Sequence, residues 1–530
     1  MPEKNSHFDR SPNISAEYAA RESARTSHGR NTAVAPGNSV SAVLLFSVST
    51  LLVIISSFIV VGDISMSRNW PVWIAIVCVF WLSVYVTCSY TYFRSVYLFT
   101  SSFILLLFFY HLGVTVPIGF GFYEDRSWGR FSAETWSRSI WNEKAAWYTL
   151  IAFGCIGVGF SLSLFRSENK RPVLSEGQNS KDTLSTCRWV GMGLMVVSVM
   201  MLAYTISIIG NPLNYSRFDF FSGVGADLRG WGIFLMAFPV SCILLVVGAQ
   251  SAPERYMVLG FAGVAFIVVL LSGYRGVAMN AALAGAILWV KVGRRIPPLL
   301  AIAGLFFVLV AIAAVAELRQ VDRYSEINQK KLESAVEGAD IGYSLIQMGQ
   351  SGGVLGHVLR LVPDKYPYRY GTTYLQAIGS SIPNFGLEMA LGTRGEVKQQ
   401  SSFSRSTVAS LPPDEWLSYE LLGRERFIMG HGVGFSAIGE PYLNFGYPGV
   451  VVFFVLLGYL LGRLDRCDLL QHPRTLVFAA LMLPSLLLLT RNQFSTLTKP
   501  VVFLLIFVLI WHFGTGFLRS RRRHVRGSTS

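Results

Sequence analysis

The chain has 530 residues, 52% of them hydrophobic and only 14% charged, where a soluble domain carries roughly 25% charged residues. With 13% aromatic residues and a mean hydropathy of +0.45, this composition excludes an ordinary soluble domain. A net charge of +14 would suggest nucleic acid in a soluble protein, but here the cations stand largely between apolar runs, where orientation in a membrane accounts for them and no nucleic-acid role is needed.

The polar segment 1–38 reads as a disordered cytosolic tail. The first apolar run follows it without a small-residue cleavage site, which predicts a retained span and no signal peptide. Apolar runs predict transmembrane helices over about 40–61, 71–93, 96–118, 145–165, 188–209, 230–249, 256–272, 276–291 and 297–316. After a long loop, three more follow at 443–462, 474–490 and 500–518. Each is near the length that crosses about 30 Å of hydrocarbon. Twelve spans place both termini on one side. That side carries Arg519, Arg521, Arg522, Arg523 and Arg526 in the tail, and Arg166, Lys170, Arg171, Lys181 and Arg188 after the fourth span. Lys291, Arg294, Arg295, Arg463 and Arg466 follow in later loops, so the positive-inside rule makes it cytosolic. The expected fold is therefore all-α: a polytopic transmembrane helical bundle of about 12 spans with a large, partly helical external loop. Its parts are the tail 1–38, helices in 39–317, the external loop 318–441, helices in 442–518, and a basic cytosolic tail 519–530. Cys78, Cys88, Cys155, Cys187, Cys242 and Cys467 fall in apolar runs or cytosolic loops, and form neither a disulfide framework nor a paired CxxC metal site.

The stretch 318–441 interrupts the spans with 12 Lys plus Arg, 13 Asp plus Glu and many tyrosines. A loop of that length in a compact membrane protein is usually functional. Within it 326–348 looks helical, while 354–361 and 374–382 are apolar enough to lie against the membrane surface. No repeat of fixed period occurs, which argues against an inverted-repeat transporter.

Several residues could carry chemistry. Arg275, within Ser272-Gly273-Tyr274-Arg275-Gly276, and Arg491, within Thr490-Arg491-Asn492-Gln493, sit at external span ends. Each is either a snorkelling anchor or a clamp whose planar fork grips phosphate oxygens. Arg217, Arg229 and Arg319 share that boundary, and several arginines on the face that positive-inside disfavours suggest a polyanionic ligand. His431 and Glu440 lie in the glycine-rich run Gly430 to Gly446. Either side chain could take a proton from a sugar hydroxyl, or could be a structural loop residue. Tyr366, Tyr368, Tyr370 and Tyr374, with Arg369 among them, suit stacking on sugar faces or an interfacial aromatic belt. His111 and His512 lie within spans and read as core histidines. No GxxxxGK[ST], GxGxxG or HExxH motif is present, so nothing supports a nucleotide cofactor or a metal.

The layout, with SGYRG at 272–276, YRYGTTYLQAIGSSIPNFG at 368–386 and GHGVGFSAIGEPYLNFGYPGVVV at 430–452, resembles the bacterial O-antigen or oligosaccharide repeat-unit polymerases. The resemblance implies a multi-pass glycosyltransferase of the bacterial inner membrane that uses no cofactor. It would move the growing glycan from undecaprenyl diphosphate to the non-reducing end of a new lipid-linked repeat. Arg217, Arg275, Arg319, Arg369, Tyr370, Asn444 and Arg491 would contact substrate, and His431 or Glu440 would deprotonate the acceptor. Its partners would be the undecaprenyl-diphosphate-linked oligosaccharide, membrane lipid, a flippase and a chain-length regulator. Three alternatives stand beside it: an O-antigen ligase; a polyprenyl-phosphate glycosyltransferase using Asp63, Glu124 or Asp125 in the first external loops; and a lipid-linked oligosaccharide flippase. Spans nearly free of ionised side chains away from their ends argue against the flippase.

Overall fold

The computed structural model describes residues 38–65, 69–122, 127–128, 131–165, 178–209, 229–271, 274–297, 346–381, 405–428 and 432–502, and a few single positions beyond them. The elements in chain order are α1 Asn38–Val61, α2 Trp70–Phe93, α3 Phe99–Leu112, α4 Thr115–Gly119, β1 Ser127–Trp128, β2 Phe131–Ser132, α5 Ala133–Ser137, α6 Ile140–Phe165, α7 Gln178–Ile209, α8 Arg229–Gly248, α9 Ala252–Leu271 and α10 Arg275–Lys291. Then come α11 Ser351–Leu361, α12 Thr372–Gly379, α13 Arg405–Ser410, α14 Pro413–Ile428, α15 Gly439–Arg466 and α16 Pro473–Leu489. Among the described residues the regular elements are thus helices, apart from the antiparallel pair β1–β2.

Among them, Ser39–Val61, Trp70–Phe93, Ile140–Phe165, Lys181–Ile208 and Gly439–Arg466 are long and apolar enough to cross a membrane. Phe99–Leu112, Ile233–Gly248, Gly276–Lys291 and Pro473–Leu489 are shorter apolar helices. The chain is therefore a multi-pass helical bundle. The expected dozen spans are not confirmed: the helices found at the expected spans 96–118, 230–249, 276–291 and 474–490 fall short of span length, and the expected spans at 297–316 and 500–518, like the tails and the helix at 326–348, lie largely or wholly outside the described residues.

Helix α6 is the axis of the bundle, packed against α1, α11 and α15. Glycines set these approaches. A Cβ at Gly154 would fall 2.8 Å from the Ser49 carbonyl oxygen, one at Gly159 2.0 Å from that of Val455, and one at Gly458 2.3 Å from that of Ile156. Gly458 and Gly462 form the small-xxx-small spacing that lets membrane helices meet backbone to backbone.

The bundle has two ends. At one, the buried Asp465 at the foot of α15 caps α3, accepting from the Phe99 and Thr100 N–H groups at 2.7 and 3.1 Å and from the Thr100 hydroxyl at 2.7 Å. Lys291, closing α10, stands 3.3 Å from the same carboxylate and donates to the Asp465 carbonyl at 2.7 Å. At the other end α15 begins with Glu440 and breaks at Gly446, whose φ of 63° and ψ of −149° an L side chain rarely adopts. A Cβ there would also press on the Tyr368 ring at 3.1 Å. The break separates a short segment carrying Glu440 from the long membrane-length part.

Helix α11, expected along the membrane surface, is instead buried against α3, α6 and α15. Its glycines allow this, since Cβ atoms at Gly352 and Gly356 would fall 2.5 Å from the His111 carbonyl oxygen and 3.1 Å from that of Trp141. Part of the long loop is therefore wedged between span ends.

Gly458→Leu should lower the melting temperature and membrane abundance of the protein, overpacking being worth about 1–3 kcal/mol or more. Gly263→Leu, where an added Cβ meets nothing within 4 Å, should change neither. Equal melting of both variants in detergent would show that the glycine contacts do not set the α6–α15 approach.

Candidate functional site

The sequence YRYGTTY turns the chain sharply before α12, with Tyr370 at φ 46° and Gly371 at φ 87°. The turn is pinned to the start of α15. Arg369 N–H donates to the Leu443 carbonyl at 2.9 Å and Tyr370 N–H to that of Asn444 at 3.0 Å. Gly371 N–H donates to Asn444 Oδ1 at 2.9 Å. Asn444 Nδ2 in turn donates to Thr373 Oγ1 at 2.7 Å and to the Glu440 carbonyl at 2.9 Å. The buried Asn444 is thereby fully committed.

Glu440 is buried one turn earlier, at 3% exposure. Its Oε1 accepts from the Thr373 hydroxyl at 2.7 Å and its Oε2 from the Phe494 N–H at 2.5 Å. One carboxylate therefore ties α12, α15 and the turn after α16 together. Arg369 is a nearby positive charge for it. The Arg369 guanidinium donates to the Leu411 carbonyl at 2.8 Å and lies 5.2 Å over the Trp416 ring. Burial pulls it down to about 10, against the opposing pull of Glu440.

A second acid closes the group. Asp414, in the first turn of α14, donates its N–H to Gln493 Oε1 at 3.1 Å, and its Oδ1 accepts from the Glu415 N–H at 2.9 Å. Burial raises its carboxyl above the ordinary range, while hydrogen bonds from the Glu415 and Gln493 neighbours and the Lys499 charge hold it back. Tyr374 packs edge-on against Phe494 at 5.2 Å, and burial raises its phenol.

Arg491 leaves the C-terminal end of α16, where the helix dipole favours a cation. Its guanidinium lies 5.1 Å over the Tyr110 ring, and among the described residues it makes no side-chain hydrogen bond to the protein. Glu440 holds the Phe494 amide three residues further on. The segment before α15 approaches the same turn, because a Cβ on Gly434 would lie 3.7 Å from the Arg491 carbonyl oxygen. Behind it, Ser436 Oγ is 2.8 Å from His111 Nε2 and accepts from the Ile438 and Gly439 N–H groups.

The structure thus brings Glu440, Asn444, Arg369, Tyr370 and Arg491 to one end of the bundle. Tyr370 is 75% exposed there. Arg275 opens α10 at that end, since a Cβ on the next residue, Gly276, would lie 3.4 Å from Leu488 Cδ1 near the end of α16. The Arg275 and Arg229 side chains, and all of Arg217, Arg319, His431, Glu124 and Asp125, lie outside the described residues. Asp63 pairs with Lys144 at 2.7 Å. Tyr366 donates to Glu420 at 2.5 Å, so its hydroxyl already has a partner. Sequence reasoning missed Thr373, Asp414, Gln493 and the Phe494 amide. The available signals were the Pro412-Pro413-Asp414-Glu415 helix start and the position of Gln493 two residues after Arg491.

A family model described as O-antigen polysaccharide polymerase Wzy matches residues 43–520, and the chain belongs to that family. No curated protein and no solved structure matches it.

Glu440→Ala should lower the melting temperature of purified protein by more than Glu440→Gln. The alanine leaves the Phe494 N–H and the Thr373 hydroxyl facing no acceptor, about 1–3 kcal/mol for each buried group left unpaired, whereas glutamine still offers one oxygen. Equal melting of the two variants would mean that the carboxylate does not hold these segments together.

Proposed function

We propose that this polymerase lengthens a lipid-linked glycan at the outer face of the bacterial inner membrane, transferring the growing chain from undecaprenyl diphosphate to the non-reducing end of a new lipid-linked repeat. The Asp465–Lys291 end of the bundle carries Lys291, Arg294, Arg463 and Arg466, which the positive-inside rule assigns to the cytosol. The end holding Glu440 and Arg491 is then external, with 318–441 on that side. The observation that carries the reading is Arg491, presented on an aromatic ring with no side-chain hydrogen bond among the described residues, on the same end as the start of α10 and the exposed Tyr370.

In the transfer, an acceptor hydroxyl oxygen attacks the anomeric carbon of the donor glycan. The bond from that carbon to the diphosphate breaks, and the diphosphate keeps the electron pair. Arg491 and Arg275 oppose the charge growing on the leaving diphosphate, which is electrostatic stabilisation of the transition state. A base accepts the hydroxyl proton. Of the two expected bases, Glu440 has both oxygens already accepting and little exposure, which supports a positioning part: it holds the Arg491 turn against α12. His431, in the glycine-rich loop just before α15, is then the base. Arg217 and Arg319 add to the outer cationic rim, and Arg369, Tyr370 and Asn444 shape the sugar-binding edge. A flippase supplying repeats and a chain-length regulator complete the working partners.

Arg491→Ala and Arg275→Ala should each abolish the glycan ladder on a gel at normal protein level, and lysine should substitute poorly because a point charge cannot reproduce a bidentate fork. Full ladders in both alanine variants would reduce these arginines to membrane anchors. With purified enzyme and lipid-linked repeats, His431→Ala should cut kcat by roughly a hundredfold with donor binding retained, and turnover should persist in EDTA. A wild-type rate in His431→Ala would place the base elsewhere, and loss of turnover in EDTA restored by a divalent cation would replace this scheme with a metal-assisted one.

A further inference from the structure

Away from this site, α8, α9 and α10 enclose a groove of about 670 Å³, inside the range of about 300–1,000 Å³ typical of small-molecule pockets. Its walls are apolar, and small residues hold them back. Ala262, Gly263 and Ala265 line it from α9, and Ala282 and Gly285 from α10. A Cβ on Gly263 would meet nothing within 4 Å, and one on Gly285 only Ile243 Cγ1 at 3.7 Å. Unlike Gly159 or Gly458, these glycines are not required by contact with the described residues of the chain. Pro239, inside α8, also lines the groove. From Tyr256 to Val269 it runs along α9 for about 20 Å at about 1.5 Å per residue.

The mouth is cationic and lies at the Asp465–Lys291 end. Arg294 is spent on structure, donating to the carbonyls of Val246, Val247 and Ala249 at 2.7, 3.1 and 2.5 Å and covering the Trp289 ring at 4.5 Å. Arg295, beside it, lines the groove and is exposed. Its carbonyl accepts from Trp289 Nε1 at 3.4 Å, and among the described residues no carboxylate pairs with its guanidinium. Arg255 adds a further charge nearby, while the acid of that corner, Glu254, is paired with Arg188 at 3.1 Å.

We propose that this groove binds one anionic glycerophospholipid of the cytosolic leaflet, an acyl chain lying between α9 and α10 and the headgroup phosphate meeting Arg295. A basic mouth over an apolar slot between membrane helices is the arrangement that captures such lipids. The mouth lies at the end of α10 opposite to Arg275, so the headgroup site is distinct from the donor site proposed above, although the apolar slot itself reaches up to Ala278, one turn from Arg275.

The test is native mass spectrometry of delipidated, detergent-purified protein titrated with dioleoyl phosphatidylglycerol or dioleoyl phosphatidylcholine. Wild type should retain one phosphatidylglycerol about fivefold better than phosphatidylcholine, the weight of about one arginine at a membrane surface. Arg295→Gln should erase the preference, and Gly263→Phe, which fills the slot, should lose both lipids at unchanged melting temperature. If Gly263→Phe does not fold, the exposed Arg295→Gln carries the test alone. Equal retention of the two lipids by wild type, undiminished preference in Arg295→Gln, undiminished binding in a folded Gly263→Phe, or displacement of phosphatidylglycerol by equimolar undecaprenyl phosphate would each overturn the proposal. So would a dimer that forms on delipidation and excludes both lipids, since the small-residue faces would then serve a second copy.

Discussion

The candidate site depends on a single buried carboxylate. Glu440 accepts from Thr373 on α12 and from the backbone of Phe494 after α16, so segments far apart in sequence share one acceptor. A buried polar group is destabilising unless it is hydrogen-bonded, and both Glu440 oxygens accept, with the positive charge of Arg369 and the acid Asp414 in the neighbourhood. The consequence is geometric. The Arg491 turn cannot move relative to Tyr370 and Gly371 without leaving a buried donor unpaired, which is the kind of restraint that preorganises a binding site.

The same helix repeats the device at its other end. Asp465 closes α15 by capping α3 and receiving Lys291, much as Glu440 opens it by gathering α12 and the post-α16 turn. Between the two the helix is apolar and packed through Gly458 and Gly462 onto α6. Polar interactions thus sit at the ends, where water or loops are near, and close backbone packing sits in the middle, where an unpaired polar group would be most destabilising.

How legible this was in the sequence differs by element. Apolar runs of span length predicted the helices well, because the bilayer imposes a length that composition records directly; 71–93 and 145–165, for example, fall within Trp70–Phe93 and Ile140–Phe165. Helix α11 was misplaced at the membrane surface because an apolar stripe looks the same whether it meets lipid or protein, and only the close approach of Gly352 and Gly356 to neighbouring carbonyls separates the two cases. In the site, Glu440 and Asn444 were visible as polar residues in an apolar, glycine-rich run. Thr373, Asp414 and Gln493 were not, since each acquires its part only from a partner tens of residues away.

Arginines carry the sharpest version of that lesson. By type and position Arg294, Arg369 and Arg491 look alike, each a guanidinium at a span end or loop. Arg294 covers three carbonyls left open by the end of α8, and Arg369 is divided between Leu411, Trp416 and the charge of Glu440. Neither fork is free to grip a diphosphate bidentately without giving up a partner. Arg491 holds its guanidinium carbon 5.1 Å from the centre of the Tyr110 ring, a cation–π contact that uses up no N–H group, and it makes no side-chain hydrogen bond among the described residues. An anion clamp needs those N–H groups. Among these three, the fork that makes no hydrogen bond to the described residues is the one suited to a ligand's oxygens, which is why the proposed chemistry is placed at Arg491 rather than at Arg369.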